Sequence, residues 1–314
     1  MLKSILLVFL LVFFFVSPAQ AFWIWTPETN KWINPKYAVK ETPQEQLAYA
    51  LESYQIEDYK KTIQELQKLI KHYPRAREAA EAQYYMGNCY EKQGDLVQAF
   101  KEYQTAIQKY PFSERSSEIV KKQYDLGNRL LEGEDQRSKF IKTVIGADYD
   151  VIEIFRTVIK NAPYGEQAAP SQYKIGLYLQ EKGMYQEARD EFEKTMNDYP
   201  ETQWAKAAKY QIALSDAKRS SDAEYDQKVT QAAITELKDF VAAHPDAEFT
   251  DDAKDQIRQL KEKEAENNFL IAAFYEKQKK YEAAKIYYTI IVDDYKNTSW
   301  APKALENIRT LNQK

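Results

Sequence analysis

Few side chains in this 314-residue sequence are placed for acid–base, nucleophilic or metal chemistry. His72 and His244 each stand just before a proline that closes a helical segment, where a partly positive ring suits the negative end of a helix. Neither belongs to a Cys–His or His-x-x-x-His spacing of the kind that holds zinc. The single cysteine, Cys89, excludes an internal disulfide and a paired-cysteine zinc site. Within Tyr84-Tyr85-Met86-Gly87-Asn88-Cys89-Tyr90 it reads as a small packed side chain. There is no glycine-rich phosphate loop and no Gly-x-Ser-x-Gly elbow. Asp251-Asp252 and Asp293-Asp294 fall at expected helix ends, as solvated charge rather than acid–base pairs. These residues predict no catalytic group, no metal and no cofactor.

The chemistry that remains is recognition. The sequence holds 24 Tyr, and several stand four residues from an amide or a leucine, one helical turn away. The places are Leu47 and Leu51, Tyr84 and Asn88, Tyr124 and Asn128, Tyr173 and Leu177. An Asn amide both donates to and accepts from an extended backbone, and a Tyr ring offers flat contact area at small entropy cost. The net charge of −4 is interleaved, without the basic stripe that nucleic acid demands.

Such pairs need helices to hold them, and composition supplies them. With only 8 Gly and 11 Pro, the chain is rich in strong helix formers. Tyr73-Pro74, Tyr110-Pro111, Ala162-Pro163, Tyr199-Pro200 and His244-Pro245 punctuate it, and Tyr295-Lys296 takes a sixth place. The intervals are 37, 52, 37, 45 and 51 residues, a unit near 37 enlarged three times. Repeat two carries Met86-Gly87, Tyr90, Ala99, Tyr103, Ala106 and Pro111; repeat four carries Ile175-Gly176, Leu179, Ala188, Phe192 and Pro200. Repeat six carries Ile271-Ala272, Tyr275, Ala284, Tyr288 and Ile291. This resembles the tetratricopeptide consensus of two antiparallel helices. Glycine in mid-helix costs about 1 kcal/mol relative to Ala, so Gly87, Gly127 and Gly176 imply close helix–helix approach.

The expected fold is all-α: a right-handed α-solenoid of about six tetratricopeptide-type helix pairs with a capping helix at Ala301 to Leu311. Lys303, Asn307 and Arg309 would keep the outer face of that cap polar. Thr250 to Gln278 reads as one long helix, while Glu132 to Ala147 and Arg219 to Asp226 read as inserted loops. In this repeat class first helices line the concave face, which makes Leu47, Tyr84, Asn88, Tyr124, Asn128 and Tyr173 the candidate peptide groove.

The first 21 residues read as an address. Ile5 to Val16 is apolar, about 18 Å as a helix and too short to span a bilayer. Ala19-Gln20-Ala21 then offers a small-x-small cleavage site, which predicts a cut between Ala21 and Phe22. Trp23, Trp25 and Trp32 follow; they suit either a bilayer interface or the open end of the first repeat. The layout is therefore a signal peptide at 1–21, a Trp/Pro-rich segment at 22–42, repeats one to three at 43–163, and repeats four to six with the cap at 164–314.

Several phrases resemble the BamD family of outer-membrane assembly factors. They are Tyr281-Glu282-Ala283-Ala284-Lys285-Ile286-Tyr287-Tyr288 with Asp294-Tyr295 and Trp300-Ala301, the link Val158-Ile159-Lys160-Asn161-Ala162-Pro163-Tyr164, and the long helix before repeat six. The resemblance runs from about Thr42 onward. It implies a periplasmic scaffold at the inner face of the outer membrane that docks on a BamA-like barrel-assembly protein and receives unfolded outer-membrane proteins. Family members are commonly tethered through an N-terminal lipidated cysteine, and no cysteine follows the apolar run here. A periplasmic adaptor of another envelope system, Tol-Pal or peptidoglycan-linked, is the alternative.

Overall fold

A computed structural model of the chain describes residues 23–26, 30–34, 38–133, 151–222, 227–247 and 249–313. The expected cleavage site at Ala21 and Phe22 and most of the insertion after Glu132 lie outside them.

Among the described residues there are thirteen helices. Repeat one is α1 (Pro43–Gln55) and α2 (Tyr59–His72); repeat two is α3 (Arg77–Lys92) and α4 (Leu96–Lys109). Repeat three is α5 (Ser116–Leu131) and α6 (Val151–Asn161); repeat four is α7 (Ala168–Glu181) and α8 (Tyr185–Asp198). Repeat five is α9 (Gln203–Asp222) and α10 (Gln227–Ala243); repeat six is α11 (Thr250–Lys277) and α12 (Tyr281–Asp294), capped by α13 (Ala301–Leu311). The fold is an α-solenoid of tetratricopeptide-type pairs.

Local sequence explains the helix starts. Thr42 Oγ1 accepts from Glu45 N at 3.2 Å ahead of Pro43, which takes a first-turn position where a missing N–H costs nothing. Asp58 and Asp95 cap α2 and α4 in the same way. The turn between paired helices needs one residue in the left-handed region. Gly94 and Gly183 supply it without strain, whereas Glu57 (φ 62°) and Lys279 (φ 60°) adopt it against their Cβ.

Within each pair a small residue on the first helix receives a bulky one from the second. Gly87 meets Tyr103, Gly127 meets Phe155, and Gly176 meets Phe192. Ala50 with Leu66, Ala213 with Phe240 and Ala272 with Tyr288 fill the same places in shared cores. A second tie crosses the pair one turn earlier. Gln46 Nε2 donates to Glu65 O at 3.1 Å and to its carboxylate at 2.9 Å. Gln83 makes both bonds to Glu102, and Gln172 makes both to Glu191. A buried amide hydrogen of Gln is thereby satisfied across the pair.

The chain forms two compact units, residues 1–116 and 117–314. In the second unit Phe155 of α6 shares a core with Tyr173, Ile175 and Phe192 of repeat four. Helix α11 runs 28 residues, about 42 Å. Its Ala253 and Leu260 pack with α9 and α10, and its Ala265 and Ala272 with α12 and α13.

Two expectations need correction. Arg219 to Asp222 is helical, the end of α9, rather than the start of a polar loop; Arg219 ion-pairs one turn back with Asp216 at 3.2 Å, which suits a continuing helix. Asn307 does not serve the outer face of the cap but hydrogen-bonds the Tyr288 hydroxyl. In the Trp/Pro-rich segment, to which the sequence assigned no element, strands β1 (Ile24–Thr26) and β2 (Lys31–Ile33) pair antiparallel, with Trp25 opposite Trp32.

Candidate protein-binding surfaces

The first helices of repeats two and four present their tyrosines to the packing. Tyr84 is 5% exposed; its ring meets Tyr103 at 6.0 Å and carries the Arg115 guanidinium over its face at 4.8 Å. Tyr173, also 5% exposed, lies against Phe192 at 5.5 Å and Trp204 at 5.3 Å, and its hydroxyl accepts from Gln211 Nε2 at 3.3 Å. These rings are shape-giving walls rather than open contact area. The amide of Asn88 is likewise buried, its Oδ1 2.8 Å from the Tyr103 hydroxyl. That hydroxyl also sits 2.8 Å from Glu91 Oε2; burial first, then the Glu91 charge, holds the phenol far above its ordinary range.

Repeat three differs. Tyr124 and Asn128 are both half-buried, and the Asn128 amide hydrogen-bonds the Tyr124 hydroxyl, an effect that only partly offsets the rise that burial gives the phenol. Asn128 Oδ1 is shielded from water and accepts no hydrogen bond among the described residues. Leu47 is half-buried against the core of repeat one. The pairs Tyr84–Asn88 and Tyr124–Asn128 each stand together on one helix, as the spacing implied.

Cys89 is fully buried, and burial pushes its thiol up to about 12, so no thiolate forms at neutral pH. The ring of His244 packs on Phe240 at 5.4 Å. Among the described residues no group of His, Cys, Asp or Glu is gathered to hold a metal.

Sequence reasoning missed a charged cluster in repeats four and five. Arg189 reaches Asp216 at 3.3 Å, Glu193 at 3.1 Å and Glu236 at 3.9 Å. Beside it is a cavity of about 370 Å³ with Met196 and Ile212 in its wall. Burial and then the Asp216 charge raise the Glu236 pKa, with Arg189 pulling the other way. Glu193 stands at i,i+4 from Arg189, but Asp216 and Glu236 join it only once α8, α9 and α10 are assembled.

Exposed apolar side chains concentrate elsewhere. Leu270, Phe274, Ile286 and Leu305 lie on α11, α12 and α13. Trp23, Ile24, Trp25 and Trp32 of the hairpin are 41–61% exposed, and the Trp25 and Trp32 rings stand 5.6 Å apart. These rings are not buried under the first repeat. No described helix is long and apolar enough to cross a membrane.

The profile of the family described as outer membrane lipoprotein (YfiO) matches residues 212–314, and the tetratricopeptide-repeat profile matches 81–113 and 171–202. A curated relative, the outer membrane protein assembly factor BamD of Caulobacter vibrioides, is 26% identical over 156 residues, 50% of this chain and 51% of that one. The chain thus spans about half the length of that relative. Solved structures with a similar course include the MamA protein (17% identity, 65% of this chain and 93% of that one, TM-score 0.35). YrrB, a tetratricopeptide-repeat protein with an unusual peptide-binding site, gives 15% identity, 70% and 94% coverage, and a TM-score of 0.36.

Proposed function

We propose that this BamD-like tetratricopeptide-repeat chain is a non-enzymatic scaffold of the cell envelope that takes part in assembling outer-membrane β-barrel proteins. The observation that carries the reading is where the outer-membrane-lipoprotein profile falls. Residues 212–314 run from within α9 to the cap, the part that holds the long α11 and the exposed Ile286 and Leu305. Packing needs neither of these side chains at the surface, which suits docking of a partner.

In this reading the C-terminal repeats dock on a BamA-like barrel-assembly protein. The first helices of the earlier repeats receive extended segments of unfolded outer-membrane proteins. Within the candidate groove, Tyr124, Asn128 and Leu47 supply direct contact; Tyr84, Asn88 and Tyr173 fix the walls. The site is periplasmic, at the inner face of the outer membrane, and the exposed hairpin of Trp23, Trp25 and Trp32 rests at the bilayer interface, where indole is favoured.

Crosslinking and mass spectrometry in the native envelope tests this. The intact chain is expected to retrieve a barrel-assembly protein. A chain ending before Tyr281, checked for folding by circular dichroism, is expected to lose it. Recovery of Tol-Pal or peptidoglycan-linked components instead would replace the assembly role with that of an adaptor.

A further inference from the structure

The residue two places after the small contact residue of a first helix is covered to different degrees: Arg129 in repeat three and Tyr178 in repeat four are half-buried. Cys89 in repeat two and Ser215 in repeat five are both fully buried at that place; Cys89 lies in the core with Ile63, Leu66 and Leu69 of α2. The same place in repeat six is Phe274, which is 58% exposed, and Leu270 one turn earlier is 60% exposed.

The length of α11 is the cause. Helix α10 lies along its N-terminal half and reaches the neighbourhood of Glu264, where Gln231 of α10 and Glu264 both hydrogen-bond the Tyr295 hydroxyl. Phe274 stands ten residues further, about 15 Å along the axis. There α11 has run past α10, and Leu270 and Phe274 stand open at its surface.

Asn267, Leu270, Phe274 and Lys277 follow at steps of three, four and three, the spacing of a two-helix seam, with Glu266 at its edge. Glu266 and Lys277 are exposed, and no ion pair engages either among the described residues. The stripe is complementary to itself when reversed. Setting Leu270 opposite Phe274 in an antiparallel neighbour also sets Lys277 opposite Asn267 and beside Glu266. No like charges meet.

We propose that this face joins two copies of the chain, with their α11 helices antiparallel across a two-fold axis. Leu270 packs on Phe274 of the partner subunit, and Lys277 pairs with Glu266 of the partner subunit. A two-fold contact must be self-complementary, and opposed charges fix its direction. With two large apolar side chains per copy, the dimer is weak and depends on concentration.

Sedimentation of the full chain over a wide concentration range tests it. The expected result is a monomer that becomes a dimer as concentration rises. Phe274→Glu should hold it monomeric, with the circular dichroism spectrum unchanged because the site is at the surface. Lys277→Glu alone, or Glu266→Lys alone, should raise the dissociation constant about tenfold through two symmetric charge clashes. Both together should restore the parent value. Residues 266 and 277 are about 16 Å apart on one helix, too far to pair within a chain, so only contact between copies gives that rescue. A monomer at every concentration overturns the proposal, as does a dimer indifferent to Phe274→Glu or a double exchange that fails to restore it. The outcome is independent of which envelope protein the chain retrieves.

Discussion

A β-carbon placed on Gly176 would lie 2.6 Å from Cε1 of Phe192, closer than two carbons can stand. The ring occupies the space a side chain would need, and Gly87 and Gly127 meet Tyr103 and Phe155 in the same way. Glycine is therefore required here for room, not for backbone freedom. Gly176→Leu should lower stability by about 1–3 kcal/mol through overpacking. An exposed helix site would instead gain about 1 kcal/mol from losing its glycine. A thermal melt of the variant with an unchanged or higher midpoint would refute the contact.

The turns between helices carry a correctable strain. Glu57 is exposed and sits at φ 62°, the place that Gly94 and Gly183 fill in repeats two and four. Glu57→Gly should raise stability by about 0.5–1 kcal/mol, the left-handed penalty less the extra entropy of an unfolded glycine. The reverse change, Gly94→Ala, should lower it. Denaturant titration of the two variants should move the midpoint in opposite directions.

Helix α8 begins at Met184 without a side-chain cap, whereas α2 and α4 begin at Asp58 and Asp95, which have one. Met184 is exposed, so the change has little packing to disturb. Met184→Asp should add about 1 kcal/mol by accepting a first-turn N–H. Chemical denaturation reads this directly, and a lower midpoint would mean that Met184 is held by contacts outside this account.

Much of this architecture was legible in the sequence because it rests on local spacing. Gly87, Gly127 and Gly176 announced the helix contacts, and the run without Pro or Gly from Thr250 announced α11, since each feature reports through the helical period. Side-chain exposure was less legible. Tyr84 and Tyr173 occupy the expected positions, yet their rings are closed over by Arg115 and Trp204, residues 31 places further along the chain in both cases. The hairpin escaped notice because its Pro-rich surroundings hid two strands of only three residues each, too short to show an alternating pattern. The charge cluster around Arg189 joins three helices, and no local pattern encodes that meeting.

The Glu236 carboxyl gives a pH signature. Burial and Asp216 raise its pKa in the folded chain above the ordinary 4.5, so between those two values the folded state holds more proton than the unfolded. Stability contributed by this group is present at low pH and falls as pH rises through that window. Arg189 and Arg219 oppose the rise, and Glu193 adds to it. Glu236→Gln should therefore melt higher than the parent at pH 7, with the difference shrinking toward pH 4. A gap that is constant with pH would assign the effect to packing instead.

The last prediction concerns the hairpin. Trp25 and Trp32 face each other across β1 and β2, both largely exposed, and Trp23 and Ile24 extend the apolar surface. Lys31, Lys36 and Lys40 outnumber Glu28 and Glu41 by one in the segment 22–42, and each Lys near an anionic surface favours it by about 1 kcal/mol. Vesicles of anionic phospholipid should shift the tryptophan emission of the chain to shorter wavelength and cosediment with it. The remaining indoles, Trp204 and Trp300, are half-buried against Tyr173 and Phe269 and should contribute the same emission with or without lipid. Replacing Trp23, Trp25 and Trp32 together by Ala should abolish both the shift and the cosedimentation while leaving the helical spectrum intact. Neutral vesicles should bind more weakly, and salt should weaken the anionic case further. If the parent chain neither shifts nor cosediments, the hairpin does not meet the bilayer, and its exposed indoles must be covered by protein instead.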